Sequence, residues 1–454
     1  MSSDRTRTVD AEGASGSAES AAELSLIWLT GEHGNLRLPL EWRGASELVI
    51  GRDDGCALRL SGNDVSRRHA ALRRSDDGAL SVVDLGSRNG TRLNGKVVQS
   101  ARVVASDVLR IGGCVLVIVD SSADFTEIAP GLTGGAALQR VLLPLSRVAR
   151  SDLPIVLEGE TGTGKELVAH AVHGWSARSG PMIAVNCAAL PESLAEAELF
   201  GYRRGAFTGA DRASEGLFRA AHGGTLLLDE VSDLPLTLQA KLLRTLEQKE
   251  VQPLGETRPV PVDVRVIVAG QQSLMDAVRK QQFRADLLAR LNGFGVRLPP
   301  LRERREDVLP LLLRFLGSLR SLPAPRIEPD FCERLTLHDW PFNVRELLLL
   351  ARRLAVFHGD ENVLRGQHLP PNMGDGARAP SSPPPPSKRP ESTDSVAEHP
   401  SVSLETLLGA LRAEGGNVTR AAAKLGITRQ RAYRLMEGQV DLSALSDKPR
   451  PKRP

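Results

Sequence analysis

The sequence predicts three folded parts of different class: an all-β sandwich, a mostly parallel α/β domain with a small helical lid, and a compact all-α C-terminal segment. Three observations carry this. Short apolar runs separated by Gly, Asn and Asp clusters fill residues 24–121, as in an all-β domain. Strand-like and helix-like runs then alternate from Ala136 to about Leu301, the pattern of a parallel sheet covered by helices. Last, a stretch centred on Pro383-Pro384-Pro385-Pro386 separates these parts from a short helical end. A chain of 454 residues exceeds one ordinary core, so several domains are expected on length alone.

Taken in order, residues 1–22 are small, polar and charged and read as a disordered N-terminus. The β domain, 23–121, is built from runs at Leu24–Leu29, Leu36–Leu40, Glu47–Ile50, His69–Leu72, Leu80–Val83 and Val115–Ile118. Residues 122–134 read as a short linker. From Ala136 to Ala149, the apolar residues Leu138, Val141, Leu142, Leu145 and Val148 recur at helical spacing, with Pro144 as a potential kink. The α/β part, 135–305, continues with a strand at Ile155-Val156-Leu157, a helix over 165–177, a strand over 181–186 and a helix over 194–200. A glycine-rich insertion at 201–210 precedes the strand Gly224–Leu228. Helix Leu236–Gln248, opened by Pro235, strand Val262–Val268 and helix Gln282–Leu291 complete it. Helices over 306–318, 328–338 and 343–357 form a lid that ends near residue 370. Residues 371–400 are a Pro/Ser-rich linker, 401–438 a helical module and 439–454 a basic tail.

Composition narrows the class. Hydrophobic residues at 41% are ample for packed domains even with polar tails included. A net charge of +3 is compatible with a nucleic-acid partner only where basic residues cluster. Cys56, Cys114, Cys187 and Cys332 lie far apart with no C-x-x-C pair, which argues against a zinc site or disulfide framework and fits a reducing compartment. No apolar run approaches the roughly 18 residues of a membrane span, and Met1 to Ser20 has no apolar stretch. A soluble, cytoplasmic protein with no membrane partner is expected.

Chemistry concentrates between residues 155 and 230. Gly159-Glu160-Thr161-Gly162-Thr163-Gly164-Lys165-Glu166 sits between a strand and a helix start, where backbone N–H groups wrap phosphates and Lys165 points at them. About sixty residues later an apolar strand delivers Asp229 and Glu230 at its C-terminal end, where α/β sheets place ligands. Together they predict hydrolysis of ATP with Mg²⁺, Asp229 holding the metal and Glu230 polarising the attacking water. Glu166 stands where the common form of the loop has a metal-binding hydroxyl. Between the two motifs, Gly205-Ala206-Phe207-Thr208-Gly209-Ala210 sets one aromatic among small residues, a hint of a partner surface.

Three loops of the β domain offer Gly51-Arg52, Ser66-Arg67-Arg68-His69 and Gly86-Ser87-Arg88-Asn89-Gly90. Singly they read as good turns and a solvated rim; gathered at one end they would make an anion site of the kind that binds phosphopeptides. At the C-terminus, Leu404, Leu407, Leu408 and Leu411 form an apolar helix face. Ala421–Leu425, a turn at Gly426 and a helix capped by Thr428 then follow helix-turn-helix geometry. The second helix carries Arg429, Gln430, Arg431 and Arg434 outward; the bland alternative is a small packing bundle. Arg429, Gln430 and Arg434 are candidates for base edges of double-stranded DNA and Arg431 for phosphate, with Thr428 at the helix start as a fifth DNA contact.

These motifs resemble known families. Gly51-Arg52, Ser66-x-x-His69 and Asn89-Gly90 resemble the forkhead-associated (FHA) domain, which implies phosphothreonine binding. By that resemblance Arg52 and Ser66 contact phosphate, Asn89 contacts peptide backbone, Arg67 and Arg88 assist, and His69 braces the loop. Residues 135–368 resemble the AAA+ domain of bacterial enhancer-binding proteins that activate RNA polymerase carrying sigma-54. There Glu166 is the family's own residue, and Gly205–Ala210 matches the sigma-contacting loop throughout. The resemblance further implies that Asn186 couples to Glu230, that Gln271 occupies the first sensor position, and that Arg345 senses γ-phosphate from the lid. Arg284 and Arg290 would serve the neighbouring subunit's nucleotide in a head-to-tail hexameric ring. Gln271 replaces the usual Asn, adding a methylene, and Phe342 replaces a Gly, which predicts a crowded lid turn. The end of the chain resembles the Fis-type helix-turn-helix. The whole implies a sigma-54-dependent activator that binds upstream activating sites and the sigma-54 holoenzyme. An FHA and helix-turn-helix adaptor that binds nucleotide without productive remodelling is the alternative.

Overall fold

The computed structural model describes residues 25–30, 36–119, 124–208, 210–371, 373, 404–413, 422, 424 and 425. The chain divides into two units, residues 1–379 and 380–454. The expected tails at 1–22 and 439–454 and most of the 371–400 linker lie outside the described residues, as do Gly209 and all five candidate DNA contacts, Thr428 to Arg434. The second unit is represented by helix Leu404–Ala413, on which Leu407 is buried.

The first unit opens with a two-sheet sandwich. One sheet orders its strands as Leu36–Pro39, Ser25–Trp28, Cys114–Val119, Val108–Ile111, Thr91–Leu93 and Lys96–Val98. The other runs Leu58–Arg59, Glu47–Gly51, Ala70–Arg74, Leu80–Asp84 and Ser100–Val103. Side chains alternate across a strand, and strand Cys114–Val119 uses both faces. Cys114, Leu116 and Ile118 enter the sandwich core beside Ile50, Leu72 and Val82. Val115, Val117 and Val119 pack instead in a cluster with Phe331 and Leu335, two lid residues.

The segment read as a linker is structured. Thr126–Ala129 and Leu132–Gly134 pair as an antiparallel hairpin, and Ala129 and Leu132 are buried with Leu138 and Leu142. Helix Ala136–Val148 runs on through Pro144. Its C-terminal carbonyls are gathered by Arg265, which is buried. That guanidinium donates to Ala149 O at 2.5 Å, to Ser151 O, to Val148 O at 3.1 Å and to Leu153 O at 3.2 Å.

The α/β core is a five-stranded parallel sheet ordered Met182–Asn186, Thr225–Asp229, Arg265–Gly270, Ile155–Glu158, Phe294–Arg297. Its register positions the site: Asn186 pairs with Asp229, Asp229 with Ala269, and Glu158 with Gly270. Four strands thus end together, as parallel sheets place their ligands. Two boundaries move. The strand expected at Val262 begins at Arg265, and the helix expected from Gln282 begins at Ala285; a separate helix that was not expected, Leu274–Arg279, precedes it. The lid comprises helices Val308–Leu319, Pro329–Leu337 and Asn343–Phe357, packed around Leu312, Phe331, Trp340 and Leu347.

Candidate functional site

The phosphate loop turns on two glycines with left-handed backbone, Gly162 at φ 79° and Gly164 at φ 104°. A side chain is excluded at Gly162, because a Cβ there would lie 2.2 Å from Phe342 O. Lys165 opens helix Lys165–Trp175 and is buried, with Nζ donating to Gly159 O at 2.8 Å. Burial pulls its pKa below the ordinary lysine value, against the opposing pull of Glu230 and Asp229.

A cleft of about 1080 Å³ opens over the loop. It is lined by Lys165, Glu166, Asn186, Asp229, Glu230, Gln271 and Arg345, together with Thr161, Gly162 and Gly164. Most of the expected catalytic set therefore converges on one space. Glu230 sits in left-handed backbone at φ 51°, and its carboxylate accepts from Gln271 N–H at 3.3 Å. Asp229 Oδ1 accepts the Glu230 N–H at 3.1 Å. Loop N–H groups, a buried ammonium and a carboxylate at a strand end suit a nucleotide with a hydrated divalent cation.

Two expectations differ in detail. Asn186 does not bond Glu230; its Oδ1 caps the next turn by accepting from Ala188 N–H at 2.9 Å. Phe342 does not crowd the lid turn. It has φ −112°, which any residue adopts, and its side chain is 58% exposed. Arg284 and Arg290, expected to serve a neighbouring subunit, do not line this chain's own cleft. Arg284 pairs with Asp286 at 2.6 Å, and Arg290 donates to Leu246 O at 3.2 Å.

Sequence reasoning missed what ties loop to lid. Glu160 accepts from Arg302 at 2.8 and 2.5 Å and from Asn343 Nδ2 at 3.2 Å. The Arg302 guanidinium holds its carboxyl below the ordinary range. Asn343 also donates to Thr161 O at 3.0 Å and accepts from Leu301 N–H at 2.7 Å. Beneath them Arg304 is buried and donates to Thr163 O at 3.0 Å. Arg302 and Arg304 belong to the charged run 302–307, whose sequence reads as surface; only the count of charges in so short a helical approach hints otherwise.

The insertion forms a closed loop. Gly205 N–H donates to Ala210 O at 2.9 Å and Ala210 N–H to Phe207 O at 3.1 Å. Phe207 leans on Tyr202, with ring centroids 5.0 Å apart, yet remains 38% exposed. Ala206 is half-buried, and Thr208 is exposed.

In the sandwich, the three loops do meet. Arg52 N–H donates to Ser66 O at 3.1 Å, and Arg88 N–H donates to Ser66 Oγ at 3.1 Å. Gly51 is required because a Cβ would lie 2.1 Å from Arg67 O. His69 is fully buried: its Nδ1 accepts from Ser66 N–H at 3.1 Å, so Nε2 carries the proton and donates to Gly90 O at 3.2 Å. Asn89 Nδ2 donates to Asp64 O at 2.7 Å. Arg52, Arg67, Arg88 and Asn89 are exposed around half-buried Ser66, an open cationic rim. Asp84 anchors the third loop, accepting from Gly86 and Ser87 N–H and from the Ser87 and Thr91 hydroxyls. Burial acts to raise its pKa, but the Ser87 and Thr91 hydrogen bonds outweigh that and hold it below the ordinary value.

Among the described residues, His358, Glu361 and His368 could gather round a metal ion. His368 Nδ1 accepts the Arg365 N–H at 3.3 Å, which leaves its other nitrogen protonated, and its ring stacks on His358 at 4.1 Å. Neither feature suits ligation. The four cysteines are free, and burial pushes Cys114, Cys187 and Cys332 up to about 12, so these three are unreactive thiols. No helix of the described residues is long and apolar enough to cross a membrane.

Comparison with known proteins bears on these sites. Residues 48–112 match the FHA domain, 132–297 the sigma-54 interaction domain, and 302–384 the AAA+ ATPase lid domain. The transcriptional activator RocR of Bacillus subtilis is 38% identical over 345 residues, covering 74% of this chain and 75% of RocR. The nitric oxide reductase transcription regulator NorR2 of Cupriavidus necator is 38% identical over 431 residues, 90% of this chain and 80% of NorR2. NtrC of a Bradyrhizobium strain is 44% identical over 271 residues, and there the chain spans only 56% of the relative's length. The chain belongs to the family of sigma-54-dependent transcriptional activators, with an FHA domain ahead of its AAA+ ATPase domain.

Proposed function

We propose that this protein is a phosphothreonine-regulated activator of sigma-54 RNA polymerase that hydrolyses ATP as a ring. The observation that carries the catalytic part is the convergence of Lys165, Asp229, Glu230, Gln271 and Arg345 on one cleft over the phosphate loop. Loop N–H groups from Gly159 to Glu166 and Lys165 would hold the phosphates. Asp229 would hold Mg²⁺, which draws charge from the phosphate oxygens when bound. Glu230 would orient the attacking water and accept its proton, its carboxylate held by the Gln271 N–H. Arg345 would report the γ-phosphate to the lid. Arg284 and Arg290, exposed and not among the residues lining their own cleft, would exchange their present partners Asp286 and Leu246 O for the next subunit's nucleotide in a head-to-tail hexamer.

The half-exposed Phe207 and exposed Thr208 would carry that work to sigma-54. Arg52, Ser66 and Asn89, helped by Arg67 and Arg88, would take a phosphothreonine from a partner protein. The helix-turn-helix module of residues 401–438, through Thr428, Arg429, Gln430, Arg431 and Arg434, would hold the ring at paired double-stranded sites in upstream DNA.

The test is ATP-dependent transcription from a sigma-54 promoter by purified protein, with and without a phosphothreonine peptide. Thr208→Ala should abolish open complexes while ATP turnover persists. Unimpaired activation by that variant would remove the loop's assigned role; no ATP turnover by the wild type would favour the adaptor reading instead.

A further inference from the structure

The sandwich is not tethered loosely to the ATPase. Helix Pro329–Leu337 of the lid lies across strands Val108–Ile111 and Cys114–Val119, on the outer face of the larger sheet. Val115, Val117 and Val119 share a buried cluster there with Phe331 and Leu335. Arg110 Nη1 donates to Asp330 at 2.7 Å and to Glu333 at 2.5 Å, and Glu333 is nearly buried. A buried carboxylate is costly unless paired, so this bond specifies where the helix seats. At the rim, Ser106 Oγ donates to Glu303 O at 3.2 Å, and Arg305 returns a bond to Ser106 O at 3.2 Å.

The docking face is continuous with the phosphopeptide loops. Asn89 donates to Asp64 O, and Asp64 presses on the Gly112-Gly113 turn: a Cβ at Gly112 would lie 2.9 Å from Asp64 O. On its other side the same turn meets the lid, since a Cβ at Gly113 would lie 3.6 Å from Pro329 Cγ and 2.9 Å from Asp64 Oδ2. Gly112 O also accepts from Arg110 Nε at 3.1 Å. Asn89, Asp64, the glycine turn and Arg110 thus form one packed path from loop to lid. The lid at the far end carries Asn343 and Arg345, which meet the phosphate loop and its cleft.

We propose that the outer face of the sandwich is a docking surface for the chain's own lid helix Pro329–Leu337, that this docking restrains the ATPase, and that a phosphothreonine peptide weakens it by competing with Asp64 for the Asn89 amide. This rests on reading the Arg52, Ser66 and Asn89 loops as a phosphothreonine site. Docking and peptide binding then oppose each other, and by linkage each weakens the other equally. A variant that undocks the lid binds peptide more tightly and no longer responds to it.

The experiment uses the full chain and a mixture of peptides randomised around one phosphothreonine, with the unphosphorylated mixture as control. ATP turnover and peptide affinity are measured for wild type, Arg110→Ala and the milder Asp330→Ala, whose carboxylate is exposed. Wild-type turnover is expected to rise about fivefold or more with phosphopeptide. Both variants should start near that raised rate, respond little further and bind peptide several-fold more tightly. Hydrogen exchange of residues 329–337 in the wild type, which needs no variant, should quicken when peptide binds. If phosphopeptide binds the wild type but exchange at 329–337 and the variants' affinities are unchanged, the coupling is overturned. If phosphopeptide does not bind at all, the phosphothreonine reading fails; raised turnover in the variants would then still uphold the docking restraint.

Discussion

Lys165 is the residue on which the chemistry turns, because its ammonium is held by Gly159 O in a buried position that phosphate oxygens can take over. Lys165→Ala should lower ATP turnover about 100-fold or more, the scale of losing one preorganised charge donor, as a steady-state phosphate-release assay would read. Gln271 is subtler. Its backbone N–H already holds Glu230, and that bond survives a side-chain change, so Gln271→Asn should alter turnover through the shorter amide reach alone. An unchanged rate would mean the amide does not touch the reaction. Asp84 gives a pH test. Its folded pKa is depressed, so the stability it contributes is present above the ordinary Asp value and lost as pH falls through the folded one. The Gly86–Asn89 loop should therefore still hold at about pH 4 and loosen only at lower pH, and Asp84→Asn should weaken phosphopeptide binding at pH 7 by freeing that loop, as fluorescence anisotropy would read. The phosphate loop and the loop set of the sandwich were legible because each is a short contiguous string. The partners of Glu160 were not: Arg302 and Asn343 lie more than a hundred residues away and carry no spacing signal.

Among elements, helix Ala136–Val148 shows how far a sequence pattern reaches. Its apolar spacing announced it, but its ends are held from elsewhere in the chain. Arg265 takes the C-terminal carbonyls, and Asp307 accepts the Gly135 N–H at 2.6 Å at the other end. Arg265→Ala leaves several buried carbonyls without donors and should destabilise the domain by about 3 kcal/mol, measured by urea denaturation. Beside Asp307, burial raises the Glu306 carboxyl above its ordinary value, with the Asp307 charge adding to the effect. A raised carboxyl contributes stability that is complete below the unfolded pKa and is lost as pH rises through the folded one. Glu306→Gln should accordingly raise the thermal midpoint at pH 8 more than at pH 5, a gain on the order of 1 kcal/mol. Gly162 links two elements. Alanine there is strained at φ 79° and meets Phe342 O, so Gly162→Ala should weaken ATP binding at least about tenfold by displacing the lid from the loop, read by nucleotide titration.

For the whole molecule, the order sandwich, ATPase, lid hides a contact that sequence order does not suggest: the sandwich sits on the lid that comes last. One signal for it was present. A two-layer sandwich strand should alternate apolar and polar, whereas Val115-Leu116-Val117-Ile118-Val119 is apolar throughout, and all five are buried. Such a run requires a second covered face.

The sequence alone determined the classes of the sandwich and of the α/β domain with its helical lid, and the contiguous motifs in them: strand period, helix period, glycine turns and the residues set beside them are local properties of the chain. Tertiary structure decided the rest. It turned the segment 124–134 from a linker into a hairpin, placed Phe342 outward, gave Glu160 its partners and seated the sandwich on the lid. Each of these depends on which distant groups share a buried space, and pairing across a hundred or more residues leaves no periodic trace in the chain.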